Sequence, residues 1–435
     1  MRNGNAPEPQ RPVRLCIITQ FYPPDYAATG QLIEELVTHL ASQDLHVQIF
    51  TGQPGYAFQK NSAPVIERSE QVLIRRSRTS RLWPQRIRGK ALNGLLFCIR
   101  SGLHLLRISF NKDILLLTTA PPYLPILGYL ASLVFGLPYV CLLYDLYPDV
   151  AVELNVVPAK HWLTQVWDTL NYFAWKNAKA IIVLSSTMKD RITAKCPDVE
   201  DKISVIHSWA NPSWIVPLAK QDNWFAQEHD LVEKFTVLYS GNMGRCHDVE
   251  TILDAACHLQ KQPIQFVFIG GGAKRQDCID RANELGLTNC LFLPYQDKKV
   301  LPYSLTACDL SLVSIASGME GLIAPSKFYG SLAAGRPVVV ICEPHSYLRQ
   351  IVFEAGCGAA FNLGEGAALA EFIAHLATDP KLVTQMGDRG RRYLEANFTP
   401  EIIAKQYSQV LSATARSQPH RVNNTTKSSP ITRSS

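Results

Sequence analysis

Short apolar runs alternate with longer stretches of helical period along most of this chain. Runs at residues 14–19, 47–51, 113–118, 138–144, 180–184 and 203–206 read as strands, and residues 31–42 place Leu32, Leu36, Val37 and Leu40 on one helical face. Strands separated by helices predict a parallel sheet with helices packed on it. The pattern breaks at 209–227, where Asn211-Pro212 and Pro217 interrupt it, and resumes at Phe235 with strands expected at 236–239, 265–269, 291–293, 310–313 and 338–341. The reading is two doubly wound, Rossmann-like α/β domains, 13–212 and 228–398. An amphipathic helix is expected at 399–412 and a disordered tail rich in Ser, Thr, Asn and Arg at 413–435.

Two apolar regions need separate treatment. Residues 114–143 are the most apolar, yet Pro121, Pro122, Pro125, Gly136 and Pro138 cut them into pieces shorter than the roughly 20 residues of a membrane-spanning helix, so a buried strand, helix and strand are expected. In residues 90–107, Leu92, Leu95, Leu96, Ile99, Leu103 and Leu106 recur at helical spacing beside Arg100 and Arg107. That segment reads equally as a helix lying in a membrane interface and as an ordinary core-facing helix.

Length, charge and cysteines narrow the picture. A chain of 435 residues exceeds one ordinary core, and 47% hydrophobic with 18% charged residues is globular. The eleven cysteines form no Cys-x-x-Cys pair, and none has a histidine spaced for zinc; several lie inside apolar runs, as Cys141 and Cys342 do, which points to a reducing cytoplasm and no metal site. Residues 1–12 hold no apolar stretch, so no signal peptide is expected. The net charge of +6 is unevenly placed: no Asp or Glu falls between Gln71 and Lys112, while Arg75, Arg76, Arg78, Arg81, Arg86, Arg88, Lys90, Arg100 and Arg107 do. A block of one sign points to an anionic membrane surface rather than to nucleic acid.

The densest chemistry lies at residues 318–327, Gly-Met-Glu-Gly-Leu-Ile-Ala-Pro-Ser-Lys, followed by a short helix that stops at Gly335 and by a buried strand. A helix start offers free N–H groups to an anion, and Lys327 adds a full charge. With Ala333-Ala334-Gly335-Arg336-Pro337-Val338, this loop resembles the donor-binding segment of retaining glycosyltransferases of the two-domain GT-B type, family 4. Three more segments fit in order: Phe21-Tyr22-Pro23-Pro24 with Gly30, Tyr239-Ser240-Gly241-Asn242-Met243-Gly244-Arg245, and Ile269-Gly270-Gly271-Gly272. The resemblance spans roughly residues 13–412 and is strongest to exopolysaccharide enzymes similar to those of colanic acid biosynthesis.

That resemblance implies a nucleotide-sugar substrate, UDP- or GDP-linked, with no bound cofactor and no metal. Cationic and N–H groups would steady the departing diphosphate. Arg245 and Lys327 are then expected on the diphosphate, with Gly241, Asn242, Gly244, Gly270, Gly271, Pro325 and Ser326 shaping the pocket and Tyr295 at the base. Glu320 is expected on the donor sugar. The family's second loop glutamate is missing: Phe328 stands eight positions after Glu320, and Gly330 falls at its place when the loop is aligned on Gly335-Arg336-Pro337. The ribose contact is thus left open. On the acceptor side stand Gly30, Asp145 and Asp149, and His207 is a second-line candidate for proton transfer. The acceptor is expected to be a saccharide on a polyprenyl diphosphate carrier, with the enzyme peripheral on the inner face of the plasma membrane. A nucleotide-sugar epimerase of the same fold and a catalytically degenerate scaffold of a polysaccharide assembly complex are the alternatives.

Overall fold

The computed structural model describes residues 13–25, 28–42, 45–54, 63–78, 87–108 and 113–416. The expectations for residues 1–12, Arg81, Arg86, the side chains of Arg88 and Lys90, and the tail from 417 onward lie outside the described residues. In the first domain β1 (Val13–Ile18), β2 (Leu45–Gly52), β3 (Ile66–Arg68), β4 (Val72–Ser77), β5 (Ile114–Thr118), β6 (Tyr139–Leu143), β7 (Ala180–Val183) and β8 (Ile203–Val205) form one sheet. Its order is β3-β4-β2-β1-β5-β6-β7-β8, parallel except for the β3–β4 hairpin. The crossovers are α1 (Ala28–Ala41), α2 (Ile87–Ile108), α3 (Leu124–Phe135), α4 (Asp149–Glu153), α5 (Trp162–Asn177) and α6 (Ser186–Lys195). β5, β6 and β7 are buried along their whole length, which is why they read as unbroken apolar runs.

After α7 (Trp224–Glu228) comes an all-parallel sheet of β9 (Phe235–Ser240), β10 (Ile264–Ile269), β11 (Cys290–Leu293), β12 (Leu310–Ser314), β13 (Val338–Ile341) and β14 (Gly358–Phe361), in the order β11-β10-β9-β12-β13-β14. Its helices are α8 (Glu250–His258), α9 (Arg275–Glu284), α10 (Leu301–Thr306), α11 (Lys327–Ala333), α12 (Tyr347–Ala355), α13 (Gly366–Ala377) and α14 (Pro380–Asn397). Both sheets reverse their winding beside the first strand, and in such sheets ligands bind outside the carboxyl ends of the strands at that point.

The last helix, α15 (Pro400–Arg416), returns to the first domain. There Tyr407 is fully buried with its ring 6.3 Å from Trp209, and Glu401 reaches His39 at 3.9 Å. The connecting segment is pinned from both sides, because Trp209 Nε1 donates to Glu35 at 2.7 Å and Arg391 donates to the carbonyls of Ile215 and Pro212.

Three strands and two helix boundaries differ from the expectation. β3, β4 and β14 were not anticipated: β4 lies near the sheet's edge with most of its side chains half-exposed, and β14 is built of small residues, so neither carries a strong apolar signal. Helix α15 runs to Arg416 rather than ending at 412, since Leu411 and Thr414 continue its buried face and hold the last turn down. The helix expected at 31–42 starts at Ala28, which shortens the preceding loop.

Candidate functional site

The loops at the carboxyl ends of β9 and β10 interlock. Gly241 N–H donates to the Ile269 carbonyl at 2.8 Å, and Met243 N–H to the Gly271 carbonyl at 2.6 Å. Gly270 has φ 137°, and a Cβ there would stand 2.0 Å from the Gly241 carbonyl oxygen, so glycine is the residue that permits this approach. Gly271 lies under the Tyr295 ring, and the Gly244 position faces the Asn242 side chain.

Lys327, the first residue of α11, reaches over this platform. Its Nζ donates to Tyr239 Oη at 2.7 Å, lies 4.0 Å from the Tyr239 ring centroid and stands 3.5 Å from the Asn242 carbonyl. A Cβ on Gly241 would touch Lys327 Cε at 3.4 Å. No carboxylate pairs with it among the described residues, and burial pushes its pKa down to about 7. Beside it His247 is buried with Nδ1–H donating to the Ser314 carbonyl at 2.8 Å; burial, then the Lys327 charge, hold its pKa down at about 3, so the ring stays neutral. A sequestered ammonium among open glycine loops, with only a phenol, a ring face and a carbonyl for company, is a seat for an anion. Arg245 stands exposed at the end of the same loop, without a hydrogen bond or ion pair among the described residues. Pro325 and Ser326 form the turn into α11, where their carbonyls accept from Phe328 and Tyr329.

Glu320 is held by the other domain. It is fully buried; Oε1 accepts from Thr187 Oγ1 at 2.7 Å, and Oε2 has no partner among the described residues. Arg191 of α6 donates to the carbonyls of Glu320 and Gly318 at 3.1 and 3.3 Å. Gly321, with φ 76°, lets the loop lie against α6, for a Cβ there would be 2.6 Å from the Thr187 carbonyl oxygen. Ile323 bridges to Asp145 on one side and to Glu320 on the other, and Leu146 N–H donates to the Leu322 carbonyl at 2.9 Å. Asp145 therefore sits where the two domains meet, its pKa pushed up to about 6 by burial.

The structure thus gathers Gly241, Asn242, Gly270, Gly271, Tyr295 and Lys327 into one platform and joins Glu320 to Asp145 across the domain boundary. It sets three candidates apart. Asp149 is engaged by Lys195 at 2.7 Å. Gly30 packs against the Phe21 and Tyr22 backbone, where a Cβ would be 3.1 Å away. His207 is partly buried, with Nδ1 3.2 Å from Tyr329 Oη and its ring stacked on Tyr347. Position 330 lies within α11 and has Leu305 as the neighbour a Cβ would meet, at 3.4 Å. Sequence reasoning missed Thr187, Arg191, Tyr239's role under Lys327, and His247. A signal existed for the first: Ser185, Ser186 and Thr187 form a polar triplet just past β7, at the end of a sheet where ligands bind.

Two family models divide the chain where the fold does. Residues 29–214 match Glycosyltransferase Family 4, and residues 220–393 match Glycosyl transferases group 1. Together with the paired Rossmann-like domains, this makes the protein a glycosyltransferase of the GT-B type. Among its relatives, the Probable glycosyltransferase WbjE of Pseudomonas aeruginosa is 26% identical over 300 residues, 68% of this chain and 73% of that protein. The Putative colanic acid biosynthesis glycosyl transferase WcaI of Escherichia coli K12 is 33% identical over 174 residues, 40% of this chain and 42% of that protein. Among solved structures, Anabaena Alr3699/HepE in complex with UDP superimposes with a TM-score of 0.69 at 14% identity, covering 92% of this chain and all of that one.

Proposed function

We propose that this enzyme transfers a hexosyl unit from a UDP- or GDP-sugar to a saccharide acceptor in exopolysaccharide or cell-surface glycan synthesis, with retention of anomeric configuration and without a metal. The acceptor is carried on polyprenyl diphosphate, and the enzyme works as a peripheral protein on the inner face of the plasma membrane. The observation that carries this reading is Lys327, a partly buried ammonium with no carboxylate partner among the described residues, poised over the glycine platform with its pKa displaced downward. A donor diphosphate supplies the missing anion, and Arg245, free at the platform's edge, closes on it as the sugar leaves. Glu320 Oε2, the unpartnered oxygen, accepts a donor-sugar hydroxyl while Thr187 orients the carboxylate. Asp145 faces the acceptor side. The leaving phosphate takes the acceptor proton, so His207 is not required as a base.

The UDP complex of the structurally similar Alr3699/HepE and the colanic acid name of WcaI support a nucleotide-sugar donor and a polysaccharide setting. The deciding experiment is nucleotide release from a panel of UDP-, GDP- and ADP-sugars, with and without a bacterial membrane extract. Extract-dependent release from one donor, lost on Arg245→Ala, is expected, with the product's anomeric configuration read by NMR. Product formed without extract would make the protein an epimerase, and silence across the whole panel would favour a scaffold.

A further inference from the structure

More than half of the large apolar side chains exposed among the described residues lie on three helices of the first domain. Each helix turns a stripe outward. On α2 it is Leu95, Ile99, Leu103 and Leu106, at the spacing of one helical face; on α3 it includes Leu133 and Val134, 63% and 69% exposed. On α5 it runs from Trp162, 64% exposed, through Val166 and Leu170 to Phe173. The stripes adjoin. Gly102 of α2 sits beside Leu127 of α3, where a Cβ would make contact at 3.5 Å, and the Tyr129 and Phe173 rings join α3 to α5 at 6.1 Å. A patch this continuous on a soluble domain marks an interaction surface.

Charge selects the occupant. Neither α2 nor α3 contains an acidic residue, and the one acid of α5, Asp168, pairs at 2.8 Å with Lys195, which it shares with Asp149. Arg100 and Arg107 lie on α2 itself, and the exposed Lys160 and Lys179 flank the two ends of α5. Arg76, from the same basic stretch of sequence, is not part of this rim: it is buried, paired with Glu67, and donates to the Pro23 carbonyl at 2.7 Å. An apolar plane with a cationic edge complements an anionic bilayer, into which side chains insert while arginines and lysines stay among the headgroups. No described helix is long and apolar enough to cross a membrane, so the contact is in plane. Because α2, α3 and α5 each precede a parallel strand, their first turns lie at the cleft end of the sheet. Gly94 of α2, packed on Pro121 just past β5, fixes that end: a Cβ there would be 2.9 Å from the Pro121 ring.

We infer that the outer faces of α2, α3 and α5 form one docking surface for an anionic lipid bilayer, which holds the cleft rim at the headgroup level. The inference deepens the lipid-linked acceptor reading and rests on it for its purpose, though not for its geometry. The test is flotation of the full chain with vesicles of phosphatidylglycerol and phosphatidylcholine, against phosphatidylcholine alone. Wild type should float with the anionic vesicles and lose binding as salt is raised. Leu133→Glu with Val134→Glu, and separately Val166→Glu with Leu170→Glu, should each lower the partition coefficient at least about tenfold, since each places charge where apolar atoms would insert. All four positions are exposed, so folding is expected to persist, and unchanged melting checks it. Wild type that ignores anionic vesicles, or variants that float as well as it does, would overturn the inference. So would a concentration-dependent dimer, seen by light scattering and broken by the same variants without any vesicle binding, since a second copy of the chain would then cover the face. Intact flotation with no donor turnover would instead sink the proposed function and leave this surface standing.

Discussion

A lysine stands at each end of strand β9, one buried and one partly buried, and the two are treated in opposite ways. At its start Lys220, 8% exposed, donates to Asp309 at 2.7 Å and to Thr236 Oγ1 at 3.2 Å, and Asp309 accepts in turn from the Thr236 N–H at 2.7 Å. Beyond its carboxyl end Lys327 has a phenol, a ring face and a carbonyl, but no carboxylate. A buried charge that is fully paired belongs to the fold, whereas one left without its counter-ion stores an unfavourable desolvation that an incoming anion relieves. The carboxyl ends of the strands, where the loops are open, are the end at which the second arrangement has a use.

Exchanging each lysine for methionine breaks the comparison most strongly. Lys220→Met leaves Asp309 without its counter-charge and should destabilise the protein by about 3 kcal/mol or more, read as a lowered midpoint in urea. Lys327→Met should cost no stability, yet lower kcat/KM for the donor by about 1.5–3 kcal/mol, roughly ten- to a hundredfold or somewhat more. Equal loss of stability in both variants would show that Lys327 is an ordinary structural lysine.

Next in size is the other anchored charge, Glu320. Thr187→Val removes the hydroxyl on Oε1 and leaves a fully buried carboxylate with no side-chain donor, at a cost of about 1–3 kcal/mol. If Thr187 only holds the domains together, Thr187→Val should alter stability and leave kcat as it was. If it positions Glu320 on the donor sugar, kcat should fall more than KM rises, and Thr187→Ser should restore it.

Thr187 also marks how far the sequence could be read. Most strands of both sheets were legible because parallel strands buried on both faces must be apolar throughout, as in Leu115-Leu116-Leu117 of β5, whereas β3, β4 and β14 lack such a run. The glycine platform was legible because Gly241 and Gly270 announce backbones that come close to something, and Lys327 because its position near the start of a short helix is set by local residues. The hold of Thr187 on Glu320 was not, since the two are 133 residues apart and meet through the docking of one domain on the other. The basic stretch misled in part: Arg75 and Arg76 sit on β4, whose place beside β2 is fixed by long-range pairing that the charged sequence conceals. The same stretch put the lipid-facing signal on α2 alone, although α3 and α5, far along the chain, complete the surface.

The smallest effect is the most specific to the difference between the lysines. Burial lowers the Lys327 pKa to about 7, so below that pH the free enzyme already carries the charge a diphosphate needs, and donor KM should be flat. Above it the donor must bind together with a proton. KM should then climb by up to about tenfold per pH unit, until the higher pKa of the donor-bound enzyme is passed and the curve levels. His247, held neutral with a pKa of about 3, adds no competing charge in this range. Asp145, at about 6, completes its ionisation below it. Lys327→Met should abolish the slope while leaving a uniformly high KM. Lys220 sits in an ion pair with Asp309 at the opposite end of β9, away from the cleft. A wild-type profile that stays level from about pH 6.5 to about 9 would mean that Lys327 does not meet the donor, and that its missing counter-ion has to be sought elsewhere.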